Sequence, residues 1–213
     1  MMRKRGRTTR AAAAALLLLP VVACTGESGT GPKGAEPSPT STGSAPSLRE
    51  RAAPYDLAYR QVAGKLPRGE RERLLRAITR PVRAWAAGGF VDGPWPRRRF
   101  KPAFSPFTRD ITGAARQDAR LLTMYAVAPS LVDVVPLRRR VRLSVTVPRD
   151  RPVGATASVD LRFLGLTERS RRVRVSVRGD LYLSRPDARG WQIFGYDVDR
   201  WVERGAMIDG GGA

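Results

Sequence analysis

Histidine is absent from the 213-residue chain, and cysteine occurs once, at Cys24. A Ser-His-Asp or Cys-His centre needs an imidazole base, and the common zinc sites need His or several Cys, so composition excludes both. An internal disulfide is excluded with them. Without His, the charge is expected to stay nearly constant between about pH 5 and 8. The groups left for proton transfer are carboxylates and phenols. Asp197 and Asp199 stand two apart in a strand-like stretch, where they would share a face, with Tyr196 and Tyr125 as candidate neighbours. Asp133, between Val132 and Val134, is a second pocket candidate. General acid or base work would want one such carboxyl buried; the competing expectation is that these carboxylates face water beside arginines. No phosphate loop, dinucleotide glycine motif or calcium loop occurs, and no cofactor or metal is expected.

Arginine is the more informative residue type. Lys and Arg total 39 against 19 Asp and Glu, a formal charge of +20. Arg140 and Arg142, then Arg162, then Arg172, Arg174 and Arg178 lie on three runs that alternate with apolar residues, and adjacent strands would set such residues side by side on a polar face. Arg138 and Arg139 precede the first pair. A face of this kind creates a positive field that attracts anionic polymers. The plainer expectation is a solvated face partly neutralised by Asp160 and Asp180. Part of the arginine excess over lysine also fits the codon bias of a GC-rich genome.

The compartment decides which anions matter. Arg3, Lys4, Arg5, Arg7 and Arg10 precede an apolar run of 12 residues from Ala11 to Val22, the charge and length pattern of an export signal. A bilayer core needs about 20 apolar residues, so the run is too short to span comfortably. Val21-Val22-Ala23-Cys24 closes that run with the only cysteine of the chain, and it resembles the lipobox of bacterial lipoproteins. The resemblance implies a signal peptide over residues 1–23, lipidation of Cys24, and a mature chain anchored to the cell membrane on its outer side by acyl chains, two of which suffice for stable attachment. An ordinary secretory signal with an incidental Cys is the other reading. Export argues against nucleic acid as a partner and leaves anionic lipid, wall polymer or an envelope protein.

Residues 24–47 carry the lipidated Cys and a Ser/Thr/Gly/Pro-rich stretch with no large apolar side chain, which reads as a tether. Residues 48–206 are expected to form one domain, followed by a loose tail over 207–213. Ser47 to Glu50 has capping-box spacing, and Tyr55, Leu57, Tyr59 and Val62 read as the apolar side of a first helix. Leu74, Leu75, Ile78, Val82 and Trp85 recur at helical spacing, with a kink expected at Pro81 and a stop at Gly88-Gly89. Phe90 to Phe107 reads as a loop packed on the core. Its aromatics Trp95, Phe100, Phe104 and Phe107, with Trp85, are expected to pack the core, or alternatively to line a cavity. Thr108 would cap a third helix running to about Tyr125. From Leu131 onward the period changes to two, through runs centred on Val141–Val147, Ala155–Phe163, Val173–Leu183 and Trp191–Val198, with a bulge at Gly195.

The expected fold class is therefore α+β, with N-terminal helices on one face of a C-terminal four-stranded antiparallel meander. This order, together with Trp191-Gln192-Ile193-Phe194-Gly195-Tyr196-Asp197-Val198 opening the final strand, resembles the cystatin-like cone fold of the nuclear-transport-factor-two-like superfamily, which includes secreted lipoproteins of actinobacteria. The resemblance covers most of residues 50–200 and implies a cone-like sheet that often encloses a pocket. It departs from the family in lacking early strands between the second and third helices. The leading expectation for function is a non-enzymatic envelope lipoprotein that binds or positions another component, with Arg140, Arg142, Arg162, Arg172, Arg174 and Arg178 contacting an anionic surface. The alternatives are a small-molecule carrier or proton-transfer enzyme using a cone pocket, and a purely structural accessory subunit.

Overall fold

In the computed structural model, which describes residues 52–187 and 190–207, the second half of the chain forms the long strands that its period-two pattern demands. Strands β2 (Leu131–Val147), β3 (Gly154–Thr167), β4 (Arg171–Asp187) and β5 (Gly190–Met207) pair in sequence order as an antiparallel meander. A further strand, β1 (Tyr55–Gly64), lies parallel to β2 at the sheet edge, giving a mixed five-stranded sheet in the order β1-β2-β3-β4-β5. The fold class is α+β, as expected.

The first helix of the sequence reading is corrected to strand β1. Tyr55, Leu57, Tyr59 and Val62 fit a helical stripe, but Tyr55, Leu57 and Tyr59 also alternate, and aromatic residues favour a pleated surface. The unpaired edge of β2 resolves the ambiguity: Tyr55 pairs with Arg139, Leu57 with Val141 and Tyr59 with Leu143, and a bulge before Gln61 keeps Val62 beside Val145 on the same face. The proposed capping box at Ser47 to Glu50 lies outside the described residues. A helical crossover must follow, because parallel neighbours cannot be joined by a tight turn.

That crossover begins with α1 (Arg68–Ala86), which runs through Pro81. The carbonyl that proline leaves without an N–H partner belongs to exposed Ala77, on the water side of the helix. Ile78, Val82 and Trp85 are fully buried on the opposite side. The helix does not stop at Gly88-Gly89; it widens into a π turn over Ala87–Val91. A Cβ on Gly88 would come within 2.7 Å of the Ala103 backbone nitrogen, so this turn packs against the Lys101–Phe104 turn by absence of a side chain. The third helix is shorter than expected: α2 (Arg109–Gln117) ends at Asp118, and α3 (Ala119–Leu122) follows.

The sheet face under these elements is apolar and filled. Val141, Leu143 and Val145 of β2, Ala157, Leu161 and Phe163 of β3, and Val175, Val177, Leu181 and Leu183 of β4 are buried against the helical layer. Phe90 stacks on Phe163 with ring centroids 4.8 Å apart and meets Trp85 edge-on at 5.6 Å. The Trp85 indole N–H donates to the Leu122 carbonyl at 3.0 Å, so this large ring is buried without an orphaned donor. Phe100, Phe104 and Phe107 join the same core, while Trp95 is half-buried at its margin. The bulge expected at Gly195 is present as a register shift where β5 passes from Ile193 to Gly195 against β4.

Candidate functional site

Among the described residues, no helix covers the other face of the sheet. Alternation sends Arg140, Arg142, Arg162, Arg172, Arg174 and Arg178 to that open face, all of them half-buried or exposed. The register then places specific charges beside one another. Asp56 is opposite Arg140, Arg140 opposite Asp160, Asp160 opposite Arg178, and Arg178 opposite Asp199. A row of alternating sign thus crosses all five strands. Such cross-strand pairs stabilise a sheet locally, and they remove the uniform positive field expected from the arginines alone.

Ion pairs show the compensation at both ends of the face, through Asp56 at one end, Asp160 beside Arg138, Arg162 and Arg178, and Glu203 beside Arg174. Arg140 Nε and Arg142 NH2 lie 3.0 and 2.7 Å from Asp56 Oδ2. The hydrogen bonds from Arg142 and Arg140 hold the Asp56 carboxyl below its ordinary pKa. These two arginines are therefore tied to a carboxylate, and near them Asp180 stands directly opposite Asp197. This end of the face is mixed to acidic, a correction to the expectation of one continuous basic face. Toward the β3–β4 turn the balance reverses. Arg138 sits opposite Arg162, the next position on β4 is Ser176, and Trp201 of β5 follows. Beyond them stand Arg174, paired to Glu203 at 3.2 Å, and Arg172. At the turn itself Arg169, Arg171, Arg172 and Arg204 surround a depression of about 370 Å³, with Glu168 as the one carboxylate among the described residues of its lining.

The carboxylate candidates do not converge with phenols. Asp197 and Asp199 share the exposed face, as their spacing predicts, but Tyr196 points to the opposite side. There its hydroxyl donates to Asp118 Oδ2 at 2.6 Å and its ring meets Phe107 edge-on. Burial raises the Tyr196 pKa, and the bond to Asp118 raises it further, so this phenol keeps its proton and fastens β5 to the end of α2. Tyr125 packs beside Phe100. Asp133 is half-buried, and one of its oxygens accepts the Val134 amide at 2.9 Å.

Two arginines with buried roles were missed in the sequence. Arg200 falls on the inner face between Val198 and Val202, and it donates to the Arg120 carbonyl at 2.6 Å while its Nε and Nη2 have no hydrogen-bond partner among the described residues. Burial, with Arg204 nearby, lowers its pKa. The period-two pattern of β5 was the available signal. Arg97 lies over the rings of Phe100 and Trp95, 4.2 and 4.6 Å from their centroids, and donates to the Gly88 carbonyl at 2.9 Å. It closes the π turn, a role that no local spacing advertises.

Cys24 and the signal and tether segments lie outside the described residues. Among the described residues, no helix is long and apolar enough to cross a membrane, and no group of three or more His, Cys, Asp or Glu side chains could hold a metal ion. Compared with known proteins, the chain matches no family model, no curated protein and no solved structure.

Proposed function

We propose that the protein is an envelope lipoprotein, held outside the cell membrane by acyl chains on Cys24, whose domain contacts an anionic envelope component through the open face of its sheet. The observation that carries this reading is the unevenness of that face. Its cationic half, from Arg138 and Arg162 to Arg172 and Arg174, is built on three paired strands and is left uncovered by any helix among the described residues. Arg140 and Arg142 flank this half, with their charge offset by Asp56. A tether would hold the domain at high local concentration near an anionic surface, so a modest patch suffices for detectable association. The role is binding or accessory rather than catalytic. The packing of Phe90 on Phe163 fills the place where a pocket between helices and sheet would open, and this favours a surface function over carriage or proton transfer. A cone-like curvature of the sheet, and kinship with the cystatin-like lipoproteins, belong to the same proposal.

Metabolic labelling with a fatty acid analogue tests the anchor. Wild type should take up label and fractionate with membranes, and Cys24→Ala should do neither. Equal labelling of both chains would remove the lipoprotein reading.

A further inference from the structure

We propose that the depression over Ser176, framed by Arg138, Arg162, Arg174 and Arg178, binds one phosphate-type oxyanion, such as the phosphate group of a phosphomonoester. The inference deepens the reading of the open face as a binding surface and rests on it, but it is independent of the anchor at Cys24.

Four guanidiniums reach this depression from three neighbouring strands, and its volume is about 520 Å³, within the range of small-molecule sites. Their orientation has a common cause. Asp160, half-buried in the middle strand, faces the Nε of each of three arginines: Arg138 at 3.2 Å, Arg178 at 3.3 Å and Arg162 at 3.7 Å. A guanidinium has five N–H donors, and Nε carries only one of them. Asp160 draws the three side chains together by charge, and of their Nε groups that of Arg178 hydrogen-bonds to it while that of Arg162 has no partner among the described residues, so the paired terminal nitrogens stand open to another acceptor. Those nitrogens form the planar fork that matches two oxygens of a phosphate.

The charge arrangement also points to a missing anion. Arg138 and Arg162 are directly opposite one another across β2 and β3, and like charges so placed destabilise a sheet. Asp160 compensates three arginines at once, and Glu203 compensates only Arg174. Four guanidiniums stand against Asp160, Glu203 and, opposite Arg178 on β5, Asp199, so a net positive charge remains that a phosphate-type anion would offset. Ser176, at the floor, offers a hydroxyl between Arg162 and Trp201 on the flanking strands. Leu137, 42% exposed, lines the depression, and Trp201, 49% exposed, stands opposite Ser176 on the next strand, so apolar surface borders the place where the remainder of a phosphoester would lie.

The test is calorimetric titration of the full chain carrying Cys24→Ser, in a neutral detergent, with inorganic phosphate and then glycerol phosphate, against a chloride control of equal ionic strength. Saturable one-site binding is expected for phosphate and not for chloride, with a change in Trp201 fluorescence that Trp201→Phe removes. Arg162→Gln with Arg178→Gln should weaken binding about tenfold or more. Glu203→Gln, which frees Arg174, should strengthen it about fivefold. Arg140→Gln with Arg142→Gln lowers the net charge equally and should change the affinity less than about twofold. If the first double variant loses its cooperative thermal transition, the gain in Glu203→Gln set against the near-unchanged affinity of the Arg140/Arg142 variant still decides, and equal affinity in both would overturn the site. Phosphatidic acid vesicles in place of glycerol phosphate identify the source: competition by vesicles alone assigns the phosphate to a lipid headgroup, and competition by both assigns it to a soluble ester as well. Phosphate binding that is absent, or equal in the Arg162/Arg178 double variant, overturns the site. If anionic vesicles still bind in a salt-sensitive way, the reading of the face survives that result; if they do not, both fall.

Discussion

Replacing Phe90 with Ala removes a fully buried ring from the layer between π turn and sheet, where it stacks on Phe163 at 4.8 Å and meets Trp85 at 5.6 Å. Deleting a buried Phe side chain costs about 3 to 5 kcal/mol in transfer free energy and residual cavity. Aromatic pairing contributes a further 0.5 to 1.5 kcal/mol or so. For a domain of this size each kcal/mol lowers Tm by about 2 to 4 °C, so the combined cost should make Phe90→Ala melt roughly 7 to 26 °C below wild type. Circular dichroism melts and urea titration give the two measures. A double-mutant cycle with Phe163→Ala should show coupling, because the rings share a contact. The void would be dry and lined by Trp85 and Phe163, so benzene should recover part of the lost stability. A cost below about 1 kcal/mol would refute the reasoning. It would mean that the ring borders open space, and a ligand pocket between helices and sheet would return as the better account of the fold.

Gly179 has φ +137°, and a Cβ there would lie 2.1 Å from the Asp197 carbonyl oxygen, so Gly179→Ala should destabilise the domain by more than the roughly 1 kcal/mol of an ordinary Gly-to-Ala mismatch, or shift the β4–β5 register, as read by chemical denaturation and amide exchange. The raised Tyr196 pKa means that its protonated form is favoured by folding: this contribution is complete below the ordinary phenol pKa and is lost as pH rises through the higher folded value. Absorbance titration should find one phenolate signal fewer in Tyr196→Phe only after alkaline unfolding, and ionisation of Tyr196 in the folded state near pH 10 would contradict the Asp118 bond. Asp56 has the opposite sign, since its lowered pKa gives a contribution present at neutral pH and lost as pH falls below the usual carboxylate range; Arg142→Gln should move the Asp56 carboxyl resonance titration upward.

Much of the fold was legible because strands β2 to β5 repeat one physical pattern, an apolar inner row against a charged outer row, over 14 to 18 residues each. The length of each run leaves a helical period no room. Residues 55–64 were misread because ten residues with Tyr, Leu, Tyr and Val satisfy both periods, and only the open edge of β2, a tertiary fact, selects the strand. Placement of the arginines on one face was legible from the same alternation. Their neutralisation was not, because it depends on register: a slip of β1 by two residues would move Asp56 away from Arg140 and Arg142, and nothing local to Asp56 records its partner. Arg200 shows the reverse case. Its inner-face position follows directly from alternation with Asp199 and Trp201, and it was overlooked because a charge is not expected there.

The central claim, that the open sheet face meets an anionic surface, is tested most directly by vesicle co-sedimentation of the full chain carrying Cys24→Ser with and without Arg162→Glu and Arg174→Glu. Both substitutions lie on the face that alternation keeps out of the core, so circular dichroism should show an unchanged fold. At about 0.05 M salt the parent chain should bind vesicles containing anionic lipid and leave neutral ones unbound, while at about 0.5 M salt, where the Debye length is a few ångströms, binding should vanish. The doubly reversed chain should not bind at either salt. Equal binding by both chains, or none by the parent at low salt, would contradict the account.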